Sequence, residues 1–145
     1  MYQKILVALE NGRADKSLLP HIAELAKLHK SKLLLVHVAD GWVARNFDKL
    51  QLRESQEMIE DRAYLEETAK QLRLQGLNVE TCLALGDPPN EILKTATQQQ
   101  CDLIAMTTHG HRLLADIFYG STIEHVRHRS TIPLLIVHAG AAKES

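Results

Sequence analysis

The chain has 145 residues, a length typical of a single domain with a substantial core. Its 17 basic and 18 acidic residues nearly balance and only 4% of residues are aromatic, so we expect no nucleic-acid partner. No apolar run approaches the ~20 residues that span a bilayer, so we expect no membrane partner and a cytoplasmic location. The two cysteines, Cys82 and Cys101, are expected to be buried reduced thiols.

The first part of the sequence predicts two buried strands with a helix between them. Lys4–Leu9 and Lys32–Val38 are short, continuous apolar runs, as expected for strands covered on both faces. Between them, apolar residues recur at helical spacing from about residue 17 to residue 29. Because Pro20 is best tolerated in a first helical turn, we expect Ser17 to cap this helix.

The middle of the sequence predicts a long polar helix followed by an edge strand. An irregular segment over residues 40–50 precedes a helix from about Gln51 to Gln75, which Gly76 is expected to end. The run 78–85 alternates apolar and polar residues, which favours a strand at a sheet edge. Pro89 then suits the first turn of a helix that continues to about Gln100.

The last part of the sequence adds two strands and one helix. Residues 102–107 and 133–137 are the predicted strands, and 121–129 is the predicted helix between them. Five strands separated by helices predict a parallel sheet with helices on both faces, within one α/β domain over residues 1–145. Residues 139–145 are expected to form a frayed tail.

The segment after the fourth strand carries the strongest functional signal. A loop from Thr107 to Gly110 is followed, after nine intervening residues, by Gly120-Ser121-Thr122 at the start of a helix. Unpaired backbone N–H groups at a helix start favour an anion, and glycine lets the backbone approach it closely. Ser121 and Thr122 add hydroxyl donors, so the segment predicts a phosphate site. Simple helix entry at Gly120 and capping by Ser121 are the structural alternatives.

Nearly the whole chain resembles the universal stress protein family, from ILVALENG at residue 5 to PLLIV at residue 133. Nucleotide-binding members of that family carry G-x2-G-x9-G-S/T after the fourth strand. The register here is Thr107-x2-Gly110-x9-Gly120-Ser121, so threonine replaces the first glycine. Glu10 stands where the family usually has an aspartate after the first strand.

The resemblance implies a doubly wound sheet of strand order 3-2-1-4-5. Ligands of such sheets bind beyond the carboxyl ends of the strands, where the order reverses, so the loops after strands one and four face one crevice. The implied ligand is ATP, or ADP or AMP, together with Mg²⁺. Glu10 would hold ribose hydroxyls or, through water, the Mg²⁺, and no direct metal ligand is expected. The implied nucleotide-binding residues are Ala8, Leu9, Glu10, Val38, Thr107, Gly110, His111, Arg112, Gly120, Ser121 and Thr122.

The resemblance also implies a homodimer and a role in the stress response. The family pairs its last strand with that of a second chain, here residues 133–137, which removes an exposed apolar edge. We expect an ATP-binding sensor or adaptor that acts through this homodimer on a protein partner the sequence does not identify. A nucleotide-free dimerisation module and a slow ATPase remain open, although the chain lacks the G-x4-G-K-S/T loop and no catalytic residue is predicted.

Overall fold

The computed structural model describes residues 1–40, 51–108 and 122–139. The predicted irregular segment beyond residue 40, and residues 140–145 of the predicted tail, lie outside these ranges. Across the described ranges, no helix combines the length and the apolar character needed to cross a membrane. The elements are β1 (Lys4–Ala8), α1 (Asp15–His29), β2 (Lys32–Asp40), α2 (Gln51–Leu74), β3 (Asn78–Gly86), α3 (Pro88–Gln98), β4 (Leu103–Thr107), α4 (122–129) and β5 (Leu134–Val137).

The five strands form one parallel sheet of order β3-β2-β1-β4-β5, which confirms the predicted fold class and strand order. The central strand is β1, where Leu6 is in register with Leu34 of β2 on one side and Ile104 of β4 on the other. The strand order therefore reverses between β1 and β4. This reversal places the ends of β1 and β4 side by side, where a crevice between their following loops can form.

Apolar side chains cover both faces of the sheet because successive residues of a strand point to opposite sides. On one face, the buried residues of α1 and α2 include Leu18, Ile22, Leu65 and Ala69. On the other face, α3 and α4 contribute Ile92, Ala96 and Val126. The predicted arrangement of helices on both faces is confirmed. Each fully buried leucine or isoleucine stabilises this arrangement by roughly 1.5–3 kcal/mol.

The first helix begins before the predicted cap. It starts at Asp15 rather than after Ser17, its N-cap residue Ala14 makes no side-chain hydrogen bond, and Pro20 lies inside the helix. The Asp15 carboxylate instead accepts hydrogen bonds from backbone N–H groups of the loop 10–12. The prediction of a Ser17 cap was therefore wrong, because the helix begins at Asp15, whose side chain binds the preceding loop.

Other predicted boundaries agree closely with the structure. Gly76 follows α2 with φ of 90°, a left-handed conformation that ends the helix as predicted. Strand β3 lies at a sheet edge, also as predicted. Both cysteines are free thiols, and Cys101 is buried. Cys82 is only partly buried, contrary to the expectation, because it lies on the edge strand β3.

Candidate functional site

A cavity of about 360 Å³ opens at the carboxyl ends of β1, β2 and β4. Cavities of this size accommodate small-molecule ligands. The predicted site residues that line it are Ala8, Leu9, Glu10, Val38, Thr107 and Thr122. The remaining predicted residues, Gly110, His111, Arg112, Gly120 and Ser121, lie outside the described residues.

Helices α2 and α3 contribute a wall that the sequence did not predict. Glu57, Met58 and Asp61 of α2 line the cavity together with the residues of the strand ends. Apolar side chains on the other face of the sheet complete it, so the cavity combines an apolar wall with a small number of polar groups. These apolar residues are Val36, Pro88, Ile92, Met106 and Ile123.

Glu10 and Thr107 meet where β1 and β4 end. These strands are hydrogen-bonded neighbours, and the Thr107 hydroxyl donates to Glu10 Oε2 at 3.3 Å. Thr107 is only 3% exposed, so packing holds its hydroxyl in place. Glu10 and Thr107, the two departures from the motifs of the resembled family noted in the sequence, are thus in direct contact.

A buried carboxylate fixes the loop that carries Glu10. Asp15 is 1% exposed, and its oxygens accept from the backbone N–H groups of Glu10 at 3.0 Å and Asn11 at 2.9 Å. The Tyr64 hydroxyl of α2 also donates to Asp15. Burial, and then this hydrogen bond to a carboxylate, raise the pKa of Tyr64 above its usual value. These hydrogen bonds therefore hold the backbone of the loop that brings Glu10 to the cavity.

A second set of polar contacts ties the loop to β2 and α2. His37 Nδ1 lies 3.0 Å from the carbonyl oxygen of Leu9, and its Nε2 lies 3.4 Å from Asp61 Oδ2. Asn11 Nδ2 donates to the other oxygen of Asp61 at 2.9 Å. Because a carbonyl only accepts, His37 must carry a proton on Nδ1. These contacts orient Asp61 and His37 along the cavity wall.

The charged groups on the described cavity wall are mostly acidic. Glu10, Glu57 and Asp61 line it together with the imidazole of His37, and the lining contributed by residues 1–40, 51–108 and 122–139 contains no lysine or arginine. Within the same ranges, no three histidine, cysteine or acidic residues are grouped as a metal site. The described part of the wall therefore carries three carboxylate groups and one imidazole.

Comparison with known proteins identifies close structural relatives. The sequence matches the universal stress protein family over residues 1–138. Universal stress protein MJ0577 of Methanocaldococcus jannaschii is 28% identical, covering 94% of this chain and 95% of that protein. A solved structure of MJ0577 superposes with a TM-score of 0.81 over 100% of this chain and 99% of that one.

Two further solved structures share the fold and contain nucleotides. One is a universal stress protein in complex with cAMP, 20% identical, with a TM-score of 0.69 over 96% of this chain and 98% of that one. The other is the universal stress protein from Archaeoglobus fulgidus in complex with dAMP, 22% identical, with a TM-score of 0.70 over 94% and 98% of the two chains.

Proposed function

The chain belongs to the universal stress protein family, and from that premise we propose that its cavity binds an adenine nucleotide. The observation that carries this proposal is the convergence of six predicted residues, from four secondary-structure elements and one loop, on one cavity at the strand reversal. The complexes of two relatives with cAMP and dAMP support the choice of ligand class.

The adenine base is assigned to the β2 side of the cavity. The register between β1 and β2 ends at Ala8 and Val36, whereas β2 remains paired with β3 as far as Asp40. The backbone of Val38 therefore borders the cavity beyond the end of β1, where its N–H and C=O groups can meet the edge of a base. Val36 and Met106 supply apolar surface for the base faces.

The sugar and phosphates are assigned to the β1 and β4 side. Glu10 lines the cavity next to Thr107, and its carboxylate is suited to accept hydrogen bonds from ribose hydroxyls. Thr122 lies at the described start of α4, where the helix dipole favours a phosphate. ATP, ADP and AMP all fit this assignment, and Mg²⁺ would enter with the phosphates of the ligand.

Nucleotide occupancy is proposed to control what the protein binds, in a sensor or adaptor role. The short strand β5 forms one edge of the sheet, and Ile136 on it is 37% exposed. Pairing of this edge with a second copy would cover it and produce a homodimer. A change at the cavity would then alter the surface that the dimer presents to a protein partner.

The proposal is tested by ligand-dependent stability and by mass spectrometry of the purified protein for a retained nucleotide. A ligand at 100 times its Kd adds about 2.7 kcal/mol, enough to raise Tm by several degrees. We expect AMP, ADP or ATP with Mg²⁺ to produce such a shift in the wild-type protein. Absence of a shift with all three, and of any retained nucleotide, would contradict the proposal.

A pair of variants on α2 locates the binding site. Met58 lines the cavity, whereas the next residue, Ile59, is 62% exposed. Met58→Trp should fill the cavity and abolish the nucleotide-dependent shift, while Ile59→Trp should leave it unchanged. Equal behaviour of the two variants would place the nucleotide elsewhere on the protein.

A further inference from the structure

A second cavity, about 780 Å³ in volume, forms a groove between α1 and α2. Leu19 and Ala23 of α1 and Leu72 of α2 give the groove an apolar lining. No described residue lines both this groove and the cavity proposed for the nucleotide, so the two are separate. The groove is therefore a candidate surface for a second kind of contact.

The wall that α1 contributes has the residue spacing of a helix-packing surface. Its members occupy positions i, i+3, i+4, i+7 and i+8, which lie on one face of a helix. They are Lys16, Leu19, Pro20, Ala23 and Glu24. Leu28 continues this face four residues beyond Glu24, and it is 79% exposed. Apolar residues that a helix presents to solvent in this pattern are typical of a surface that packs against another helix.

Opposite charges lie at equal distances on either side of Pro20. Lys16 precedes Pro20 by four residues and Glu24 follows it by four, so the two charged residues are about 12 Å apart along α1. Both are exposed, and neither forms an ion pair with another described residue. A helix lying antiparallel to α1 would match them if it carried a basic residue opposite Glu24 and an acidic residue opposite Lys16. When α1 itself is reversed about Pro20, it carries these charges in these positions.

We propose that the groove binds α1 of a second copy of this chain, related by a two-fold axis that passes close to Pro20. The axis places Lys16 of each copy opposite Glu24 of the partner subunit, so the same ion pair forms twice. The apolar residues between the two charges become buried in the contact. The two-fold axis thus makes the surface complementary to itself.

The exposed Leu28 also finds a place in this arrangement. Leu28 follows Pro20 by eight residues and Gly12 precedes it by eight, so the axis brings Leu28 of the partner subunit to the end of the groove that Gly12 lines. No atom of the described residues lies within 4 Å of the position that a side chain at Gly12 would occupy. There is therefore space at this end of the groove for a leucine side chain.

This contact is different from the pairing of β5 edges proposed above. If both contacts form, each chain takes part in two different two-fold interfaces, and the assembly contains at least four chains. The groove contact does not depend on nucleotide binding, so the two proposals can fail separately.

The first test is disulfide trapping at position 20 in the full-length protein that also carries Cys82→Ser. Pro20→Cys places two thiols beside the proposed axis, and the loss of a proline from the interior of a helix does not weaken that helix. We expect mild oxidation at micromolar protein concentration to produce a covalent dimer on a non-reducing gel. The matched control is Ile59→Cys, because Ile59 is 62% exposed on α2 and does not line the groove. It should form the dimer at least about tenfold more slowly.

The second test exchanges the charges, with self-association measured by sedimentation velocity at low salt. All proteins in it carry Ile136→Arg, which places a charge on the exposed edge strand β5 and so disfavours β5 pairing. Lys16→Glu and Glu24→Lys should each weaken self-association by about tenfold, because each change makes two attractive pairs repulsive. In an equimolar mixture, one variant is acidic at both positions and the other is basic at both. The mixture should therefore associate at least as strongly as the protein with neither charge change.

Each outcome decides for or against the proposed contact. Cross-linking at position 20 that is no faster than at position 59 would overturn it, and so would cross-linking that Ile136→Arg abolishes, because the contact would then belong to the β5 edge. Weaker association of both charge variants without recovery in their mixture would also overturn it. Circular dichroism verifies that each variant is folded. If Pro20→Cys does not fold, the mixture of charge variants decides the result.

Discussion

Carboxylates lie at both ends of the parallel strands, but their surroundings differ. At the amino ends, Asp102 accepts hydrogen bonds from the backbone N–H groups of Gln3 at 2.9 Å and Lys4 at 3.0 Å. Glu80 lies 3.2 Å from the ammonium group of Lys4 and 4.0 Å from that of Lys32. Here negative charge is matched with lysines and with the first N–H groups of a strand, so it stabilises the sheet.

At the carboxyl ends, the contacts of the carboxylates are different in kind. Glu10 receives the Thr107 hydroxyl, and Asp61 receives the Asn11 amide and faces the His37 ring. These contacts orient the carboxylates on the described wall of the cavity. The same residue types therefore stabilise the sheet at one end and line the candidate binding cavity at the other.

The largest effect is expected at Asp15, which is an exception to this comparison. Its carboxylate lies near the carboxyl ends of the strands, yet its role is structural. Asp15→Ala removes a buried acceptor for several backbone N–H groups and for Tyr64. We expect the free energy of unfolding to fall by about 3 kcal/mol, measured by urea denaturation. Glu24→Ala, an exposed change on the same helix, is the control and should cost less than about 0.5 kcal/mol. A loss of similar size in both variants would show that the loop 10–12 does not depend on Asp15.

A smaller effect on the free energy of unfolding is expected for Asp102, at the amino ends of the strands. Asp102→Ala should lower the free energy of unfolding by about 1–2 kcal/mol, because two strand N–H groups lose a charged acceptor. Its affinity for nucleotide should remain that of the wild type, in contrast to Glu10→Gln, which should change affinity more than stability. Denaturation and titration of the two variants side by side measure both quantities. If Asp102→Ala altered the affinity for nucleotide, the division of roles between the two ends would be wrong.

A third effect appears only at alkaline pH. The pKa of Tyr64 is raised in the folded protein, whereas a tyrosine in the unfolded chain has a pKa of about 10. Above about pH 10 the unfolded chain therefore loses this proton while the folded one retains it, so stability falls as pH rises. Tyr64→Phe should lack this part of the alkaline decline in the urea midpoint. Identical pH profiles for the variant and the wild type would contradict the role of the buried Asp15 contact.

The smallest effect concerns thiol reactivity and leaves stability unchanged. Burial raises the pKa of Cys101 to about 11, and it also raises that of the partly buried Cys82. At about pH 8 the folded protein should therefore be alkylated slowly, first at Cys82 and much later at Cys101. Mass spectrometry after timed exposure to iodoacetamide measures the order, and Cys82→Ser provides the control for site assignment. Faster labelling at Cys101 would indicate that the amino end of β4 opens readily.

The general architecture could be predicted from the sequence because its signals are local. Continuous apolar runs mark β1, β2 and β4, and glycine at position 76 marks the end of α2. The start of α1 could not be predicted in the same way. Ser17 satisfies the local capping pattern, but the contacts of Asp15 with the loop 10–12 decide where the helix begins.

The candidate site was predicted on its strand side and missed on its helix side. Residues after β1 and β4 follow from topology, since the carboxyl ends of neighbouring parallel strands meet. Asp61 and Glu57 lie on a polar helix, where most charged residues are solvated. One signal was present: Asp61 follows Met58 by three residues and precedes Leu65 by four, so it occupies the apolar stripe of α2. A carboxylate at such a position indicates a cavity or a polar partner in place of a packed core.

The central position of β1 has a consequence for how the protein is made. β1 is synthesised first, yet one of its two neighbours, β4, begins beside Asp102, which is 98 residues further along the chain from Lys4. At ribosomal rates of roughly 5–20 residues per second, one edge of β1 remains unpaired for about 5–20 seconds, until β4 has been synthesised. During that interval the nascent chain exposes an apolar strand with unpaired backbone groups. Folding on the ribosome is therefore expected to be late and cooperative, and this interval is when a chaperone would be most useful.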